Sequence, residues 1–363
     1  MKNLGQHFII GIKDKILQDE EKIFLKENNI GGIILFSHNY SDPAQLAELI
    51  NEIQICRDEF PLFISVDQEG GRVLRFKKHF TQFPAMYDIS RLDSPTTIFE
   101  VHSIFAKELA ACGVNVSFSP VCDIWLNPQN KVIGDRAFGT TAQSCEKFVS
   151  AAIRGLQTEN ILPCAKHFPG HGSTKKDSHF DLPYVSISYE QWLKEEFIPF
   201  AKASKSKAPL MMMSHIVFDA FDKELPCTLS KNAYRQLRET LRFRGLIVTD
   251  DMEMKAIADK YSTGEAALMA LNAGADLLIY RSFEEGKKSY IAVTEALKDK
   301  KINKSELEEK QNKILALKEE KFSKYRPIYI PDLEAVFSSV IHKNYFDQLM
   351  KKIHEISLKS VSG

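Results

Sequence analysis

Eight short apolar runs, rich in branched side chains, recur along this chain at helix-sized intervals: Phe8 to Ile12, Ile30 to Phe36, Leu62 to Val66, Val114 to Val121, Ile161 to Lys166, Leu210 to Met213, Leu246 to Thr249 and Asp276 to Tyr280. They read as solid apolar stretches and not as alternating ones, the pattern of strands covered on both faces by helices in a parallel sheet. Amphipathic segments fill the intervals. Ser41 or Asp42 can cap a helix that takes Pro43 in its first turn and presents Leu46, Leu49, Ile50 and Ile53 on one face. Thr97 to Leu109 repeats that pattern, Ser230 opens a helix from Lys231 to Leu241, and Gly264 to Leu271 supplies another. Repeated βα units in this number predict an α/β fold, most simply a closed (β/α)8 TIM-type barrel with some irregularity in its first strands; a doubly wound open sheet is the alternative.

A barrel demands that chemically capable side chains gather at the C-terminal ends of its strands. The second run ends in Ser37-His38-Asn39, the third in Asp67-Gln68-Glu69-Gly70-Gly71-Arg72, and Asp123 follows the fourth. Lys166-His167 end the fifth, Ser214-His215 the sixth, and Asp250-Asp251 the seventh. All six endings are expected at one mouth. Beyond Tyr280 a stretch rich in lysine and glutamate, from about Tyr290 to Glu320, reads as the wet face of outer helices. Tyr325 to Pro331 is a proline-punctuated link, and Tyr345 to Ser357 a last helix too short to fold alone. The expected organisation is a catalytic barrel over residues 1–325 and a linker-like helical extension over 326–363, packed on the barrel.

Lys plus Arg and Asp plus Glu stand at 48 each, so the overall charge recommends neither a nucleic acid nor an anionic membrane as partner; a neutral polar ligand and a monomer are expected. The N-terminal residues carry no signal-peptide core and no run is long enough to span a bilayer, which predicts a cytoplasmic address. Cys56, Cys112, Cys122, Cys145, Cys164 and Cys227 show no close pair of ligand spacing and read as reduced packing residues.

In an extended backbone, adjacent side chains point to opposite sides, so one of Asp250 and Asp251 is expected to face the mouth; Asp250 is the choice, with Asp251 satisfying nearby backbone N–H groups. A carboxylate there suits attack on an electrophilic sugar carbon. Asp177 and His179 lie two apart in a loop rich in Gly, Ser, Thr and Lys, where the aspartate can fix the imidazole tautomer and leave the other nitrogen to give or take a proton. Gly170 and Gly172 would let that loop swing over the mouth. Lys166, His167, Arg136, Arg75 and Asp67 are candidates for binding paired sugar hydroxyls by charge-assisted hydrogen bonds, with His171 and His215 as further candidates. No motif calls for a cofactor: Gly70-Gly71 lacks the spacing of a phosphate-cradling loop, and no His-Glu-x-x-His helix is present. A divalent metal held by His167, His171, Asp177 and His179 stays open as a rival chemistry, and a non-catalytic sugar-binding barrel as a rival outside enzymology.

Long ordered stretches carry a family resemblance: Gly31 to Tyr40, Val66 to Val73, Gly134-Asp135-Arg136-Ala137-Phe138-Gly139, Lys166 to Gly172 with Asp177-Ser178-His179, and Thr249-Asp250-Asp251. In these the chain resembles glycoside hydrolase family 3 members of the β-N-acetylhexosaminidase type, the cytoplasmic enzymes of bacterial cell-wall recycling. The resemblance implies retaining hydrolysis of terminal β-linked N-acetylglucosamine, with Asp250 as nucleophile and the Asp177–His179 pair as acid/base. It places Asp67, Arg75, Arg136, Lys166 and His167 around the sugar ring. The implied substrate is N-acetylglucosaminyl-1,6-anhydro-N-acetylmuramic acid, with or without its peptide, and transfer to phosphate is an implied side reaction. Some relatives carry a large second α/β domain; here a single-domain form with a retained linker helix is expected.

Overall fold

The apolar runs pair with one another in chain order. The computed structural model describes residues 3–174, 182–322 and 325–361. In it, strands β1 (Phe8–Ile10), β2 (Gly32–Leu35), β3 (Phe63–Val66), β4 (Val116–Ser117), β5 (Leu162–Phe168), β6 (Leu210–Met213), β7 (Leu246–Asp251) and β8 (Leu277–Tyr280) form a closed barrel. Neighbouring strands are parallel throughout, and β8 closes on β1 with Leu278 beside Phe8 and Tyr280 beside Ile10. Because β1 is paired on both edges, the open doubly wound sheet falls away and the (β/α)8 barrel stands.

Period-two alternation is present, but both sides of it are apolar. Ile9, Ile34, Phe63, Leu210, Met212, Val248 and Ile279 fill the barrel, while Phe8, Ile10, Ile33, Leu35, Met211, Ile247 and Leu278 face the surrounding helices. Side chains buried on both faces are what make each strand read as an uninterrupted apolar run. The fourth run is the exception. Its regular pairing covers only Val116–Ser117, because Pro120 has no N–H to give the ladder, and contact with β5 resumes as a single bridge from Val121 to Lys166.

The helices form where their caps and faces predict. Asp42 accepts from the Gln45 N–H at the start of Pro43–Ile55, Ser94 accepts from Thr97 at the start of Pro95–Ala111, and Ser230 from Ala233 ahead of Lys231–Arg235. A further helix, Lys304–Phe322, lies across the N-terminal end of the barrel. Its Ile314 is buried in the inner core, Leu317 packs there, and the Phe322 ring meets Phe63 edge-on at 6.1 Å. Here the reading of the lysine- and glutamate-rich stretch as a wet surface needs correcting: Lys318 is 1% exposed. Its Nζ donates to Gln6 Oε1 at 2.8 Å and to the Gly31 carbonyl at 2.7 Å, and stands 4.6 Å from the Phe63 ring centroid. The aliphatic stem crosses the apolar layer and the head finds acceptors at the starts of the strands.

After the link, Asn51 holds Ile328 by both its backbone groups. The last helix, Val340–Val361, packs through Phe346 on Phe83, buries Leu349, and sends the Tyr345 hydroxyl to the Thr97 carbonyl. All six cysteines are buried free thiols. Among the described residues no helix is long and apolar enough to cross a membrane.

Candidate active site

At the C-terminal ends of the strands a cavity of about 660 Å³ opens, floored by Ile34, Phe118, Met212 and Ile279 from the barrel interior. Its walls carry Asp67, Glu69, Arg75, Arg136, Lys166, His167, His171, Asp250 and Asp251. β3 runs straight into a short antiparallel hairpin, Gln68–Gly70 with Val73–Leu74. Gly70 and Gly71 turn it with φ of +104° and +56°, and a Cβ on Gly71 would come within 3.0 Å of Ala85. The turn brings Glu69 and Arg75 back over the mouth, which is what the glycine pair is for.

The centre of the wall is a chain of ion pairs. Lys166 Nζ lies 2.7 Å from Asp67 Oδ1 and 2.5 Å from Glu69 Oε1. Arg136 engages Glu69 with both arms of its guanidinium, Nε to Oε2 at 2.7 Å and Nη2 to Oε1 at 2.8 Å. Arg75 Nη2 donates to Asp67 Oδ2 at 3.1 Å, and its guanidinium lies 5.5 Å from the Phe36 ring centroid. Burial opposes the charge on both acids, yet Arg136 and Lys166 hold Glu69 far below the usual carboxylate range, and Lys166 and Arg75 hold Asp67 below it. Conversely, burial works against the Lys166 ammonium while Asp67 and Glu69 raise its pKa above the ordinary lysine value. Asp67, Glu69 and Lys166 are therefore charged at neutral pH, and charged groups hydrogen-bond sugar hydroxyls strongly.

Asp123, fully buried, organises the histidines. Its Oδ2 accepts from His167 Nδ1 at 2.6 Å and its Oδ1 from the His171 backbone N–H at 2.6 Å. Arg136 Nη2 then faces His167 Nε2 at 3.5 Å, which leaves Nε2 as the acceptor of the ring. Burial pushes His171 down to about 4, so it is neutral. Asn130 Nδ2 donates to the His171 and Gly172 carbonyls, at 2.8 and 3.2 Å. A Cβ on Gly172 would stand 1.6 Å from the Ile124 carbonyl oxygen, so this glycine serves a close approach of two backbones. Gly170 and Gly172 are both buried, and the described segment to Thr174 is held by Asn127 and Asn130; the part of the predicted swinging loop that carries Asp177 and His179 lies outside the described residues.

On β7 both aspartates reach the cavity, where the extended-strand argument allowed one; the pairing of β7 with β8 slips between Val248 and Asp251, so the strand is not regular there. The two differ in what they touch. Asp251 pairs with Arg281 at 2.8 Å and accepts from the Glu253 N–H, while Asp250 has no ion pair among the described residues and accepts only from the Asp251 N–H at 2.8 Å. Burial drives Asp251 up to about 7 against the pull of Arg281. Behind them His215 donates from Nε2 to the Asp251 carbonyl at 2.9 Å and accepts from the Thr228 hydroxyl on Nδ1 at 2.7 Å.

The chain matches the glycosyl hydrolase family 3 N-terminal domain over residues 2–317. It belongs to glycosyl hydrolase family 3. Among the relatives of this family 3 chain, the β-hexosaminidase of Nitrosomonas eutropha is 36% identical over 277 residues, covering 75% of this chain and 79% of its own. That of Actinobacillus pleuropneumoniae is 36% identical over 285 residues, 77% and 81% of the two chains. Among solved structures, a family 3 β-N-acetylglucosaminidase from Paenibacillus sp. superposes with a TM-score of 0.87 at 32% identity, over 95% of this chain and 67% of the other. The chain is a glycosidase of that family.

Of the residues singled out by sequence, the family 3 fold brings Asp67, Arg75, Arg136, Lys166, His167, His171, Asp250 and Asp251 to one cavity. His215 supports the β7 turn without lining it. Asp177 and His179 lie outside the described residues. Two strand ends do other work than expected: Asn39 donates to the Ile12 and Asp14 carbonyls and His38 bonds Ile12, so β2 contributes Ile34 and Phe36 to the cavity instead. Likewise β6 contributes Met212, not Ser214 or His215. Glu69 and Asp123 are not among the predicted site residues although both stand in the strand-end motifs; they meet Lys166 and His167 only in space, and no sequence neighbour marks them. Among the described residues no group of three or more His, Cys, Asp or Glu side chains is arranged to hold a metal ion. Within the proposed metal set, the Nδ1 atoms of His167 and His171 are engaged by Asp123 and Thr174.

Proposed function

We propose that this chain releases terminal, non-reducing, β-linked N-acetylglucosamine by retaining hydrolysis through a covalent glycosyl-enzyme on Asp250. One observation carries the reading: Asp250 faces the same cavity as the Asp67–Lys166–Glu69–Arg136 array and, unlike Asp251, has no cation of its own among the described residues. The array binds the sugar hydroxyls and sets the ring with its anomeric carbon toward Asp250. The carboxylate attacks as the glycosidic oxygen departs, through an oxocarbenium-like transition state, and the resulting glycosyl ester is then cleaved by water with net retention. His179, held in one tautomer by Asp177, gives the departing oxygen its proton and later takes one from the water. The β-hexosaminidase relatives support the sugar, and the motif resemblance supports N-acetylglucosaminyl-1,6-anhydro-N-acetylmuramic acid and its peptides as the natural substrate, met in the cytoplasm.

Replacing Asp250 by Ala is expected to lower turnover of p-nitrophenyl β-N-acetylglucosaminide by on the order of 10⁴ or more. Near-wild-type turnover, or a first-formed sugar of inverted configuration by NMR, would overturn the reading.

A further inference from the structure

The opposite end of the barrel holds a second cavity, of about 800 Å³. Leu162, Leu246 and Leu317, the lower layer of the inner core, form its apolar floor. Six cationic side chains surround that floor: Arg154, Lys205, Lys207, Arg244, Lys313 and Lys321. The one carboxylate in the lining, Glu320, is paired with Lys321 at 2.8 Å. Among the described residues the other five have no ion pair, in a chain whose acidic and basic residues balance at 48 each.

Ordinary helix electrostatics accounts for part of this. Arg154 and Lys205 stand in the last turns of Ala142–Gln157 and Phe197–Lys205, where a cation complements the helix dipole. Lys207, Arg244 and Lys313 do not; they come from a turn, from the approach to β7 and from mid-helix, and meet at the same concavity. Unpaired cations gathered from four separate segments raise the potential there by mutual repulsion, which a bound anion relieves. The concave shape and apolar floor select a compact molecule with a hydrophobic body over an extended polyanion.

We propose that this cavity is a binding site, separate from the catalytic one, for a small organic phosphate: a dianionic group among Arg244, Lys313 and Lys207, and an apolar or aromatic body on the leucine floor. The two cavities lie at opposite ends of one packed core and share no lining residue.

The probes are p-nitrophenyl phosphate, which has both features, and inorganic phosphate, which has only the charge, titrated calorimetrically into the intact protein at low and at physiological salt. p-Nitrophenyl phosphate is expected to bind at least about tenfold tighter than inorganic phosphate, as burial of the ring implies. In an Arg244→Glu, Lys313→Glu double variant its affinity is expected to fall at least about tenfold, with turnover of the aryl hexosaminide unchanged. An Arg244→Gln, Lys313→Gln variant, which introduces no new charge, should show a smaller loss in the same direction and keeps the test valid if the charge reversal impairs folding. Equal binding by wild type and both variants, displacement of the probe by N-acetylglucosamine, or equal affinity for the two phosphates would each overturn the proposal.

Discussion

Glu69 and Lys166 meet at 2.5 Å with 3% and 2% of their side chains exposed, and the same carboxylate grips Arg136. A single buried anion thus holds two of the cations that line the cavity. Its replacement would leave Arg136 without a carboxylate partner among the described residues and Lys166 with Asp67 alone.

Glu69→Gln is therefore expected to lower the free energy of unfolding by about 3–5 kcal/mol, the usual cost of leaving a buried charge unpaired. In urea titrations the midpoint should fall without a change in slope. The surviving folded enzyme should show a raised KM, since the two cations proposed to bind the sugar have lost their anchor. A wild-type midpoint would refute this account of the array.

Replacing His179 by Ala should reveal the acid role through the leaving group. An activated phenol departs without a proton, whereas an alkyl or sugar alkoxide does not, so the loss in kcat/KM, which reports formation of the glycosyl-enzyme, should be small for p-nitrophenyl glycosides and reach about 10²–10⁴ for the disaccharide. Equal losses of kcat/KM for both classes would contradict proton donation.

A neutral imidazole does not repel an incoming anion as a carboxylate would. Adding inorganic phosphate during turnover is expected to divert a fraction of product into N-acetylglucosamine 1-phosphate of retained configuration, detectable by phosphorus NMR. The Arg244→Glu, Lys313→Glu variant should give the same fraction, because the glycosyl-enzyme and not the distant basic cavity is the partner of that phosphate.

Glu196 supplies a pH dependence. Its carboxyl is 1% exposed, accepts from the Ser173 hydroxyl at 2.7 Å at the base of the Gly170–Thr174 segment, and is pushed by burial up to about 8. Between the ordinary carboxylate value and 8 the folded protein holds a proton that the unfolded chain has lost. Stability from this group is thus complete at low pH and falls as pH rises toward 8, by at most about 1.4 kcal/mol per unit. Thermal melts of Glu196→Gln, which keeps a neutral group, should lose less stability than wild type between pH 5 and pH 8. Parallel curves would remove Glu196 from the explanation.

How much of this was legible beforehand follows from what each residue depends on. The barrel could be read because doubly covered strands must be apolar throughout, and Lys166 and Asp250 could be read because charge at the end of such a strand has few structural uses. Glu69 could not be ranked above its neighbour Asp67, since its weight comes from depth, which the hairpin sets and the local sequence does not. Asp123 could be placed after the fourth run, but its grip on His167 and on the His171 N–H joins segments far apart in the chain, which the local sequence does not set. Lys318 looks like every other lysine in its run; only the packing of Lys304–Phe322 across the strands makes it a buried group.

That same helix has a consequence for the order of synthesis. The last barrel strand is complete at Tyr280, yet Ile314, Leu317 and Phe322, which seal the inner core from below, are translated later. Without Lys304–Phe322 the barrel would lose the cover that Phe322 and Lys318 give Phe63 at its base. A fragment ending between Lys298 and Ser305 should be captured by chaperones or aggregate, and adding the missing turns should restore it to solution.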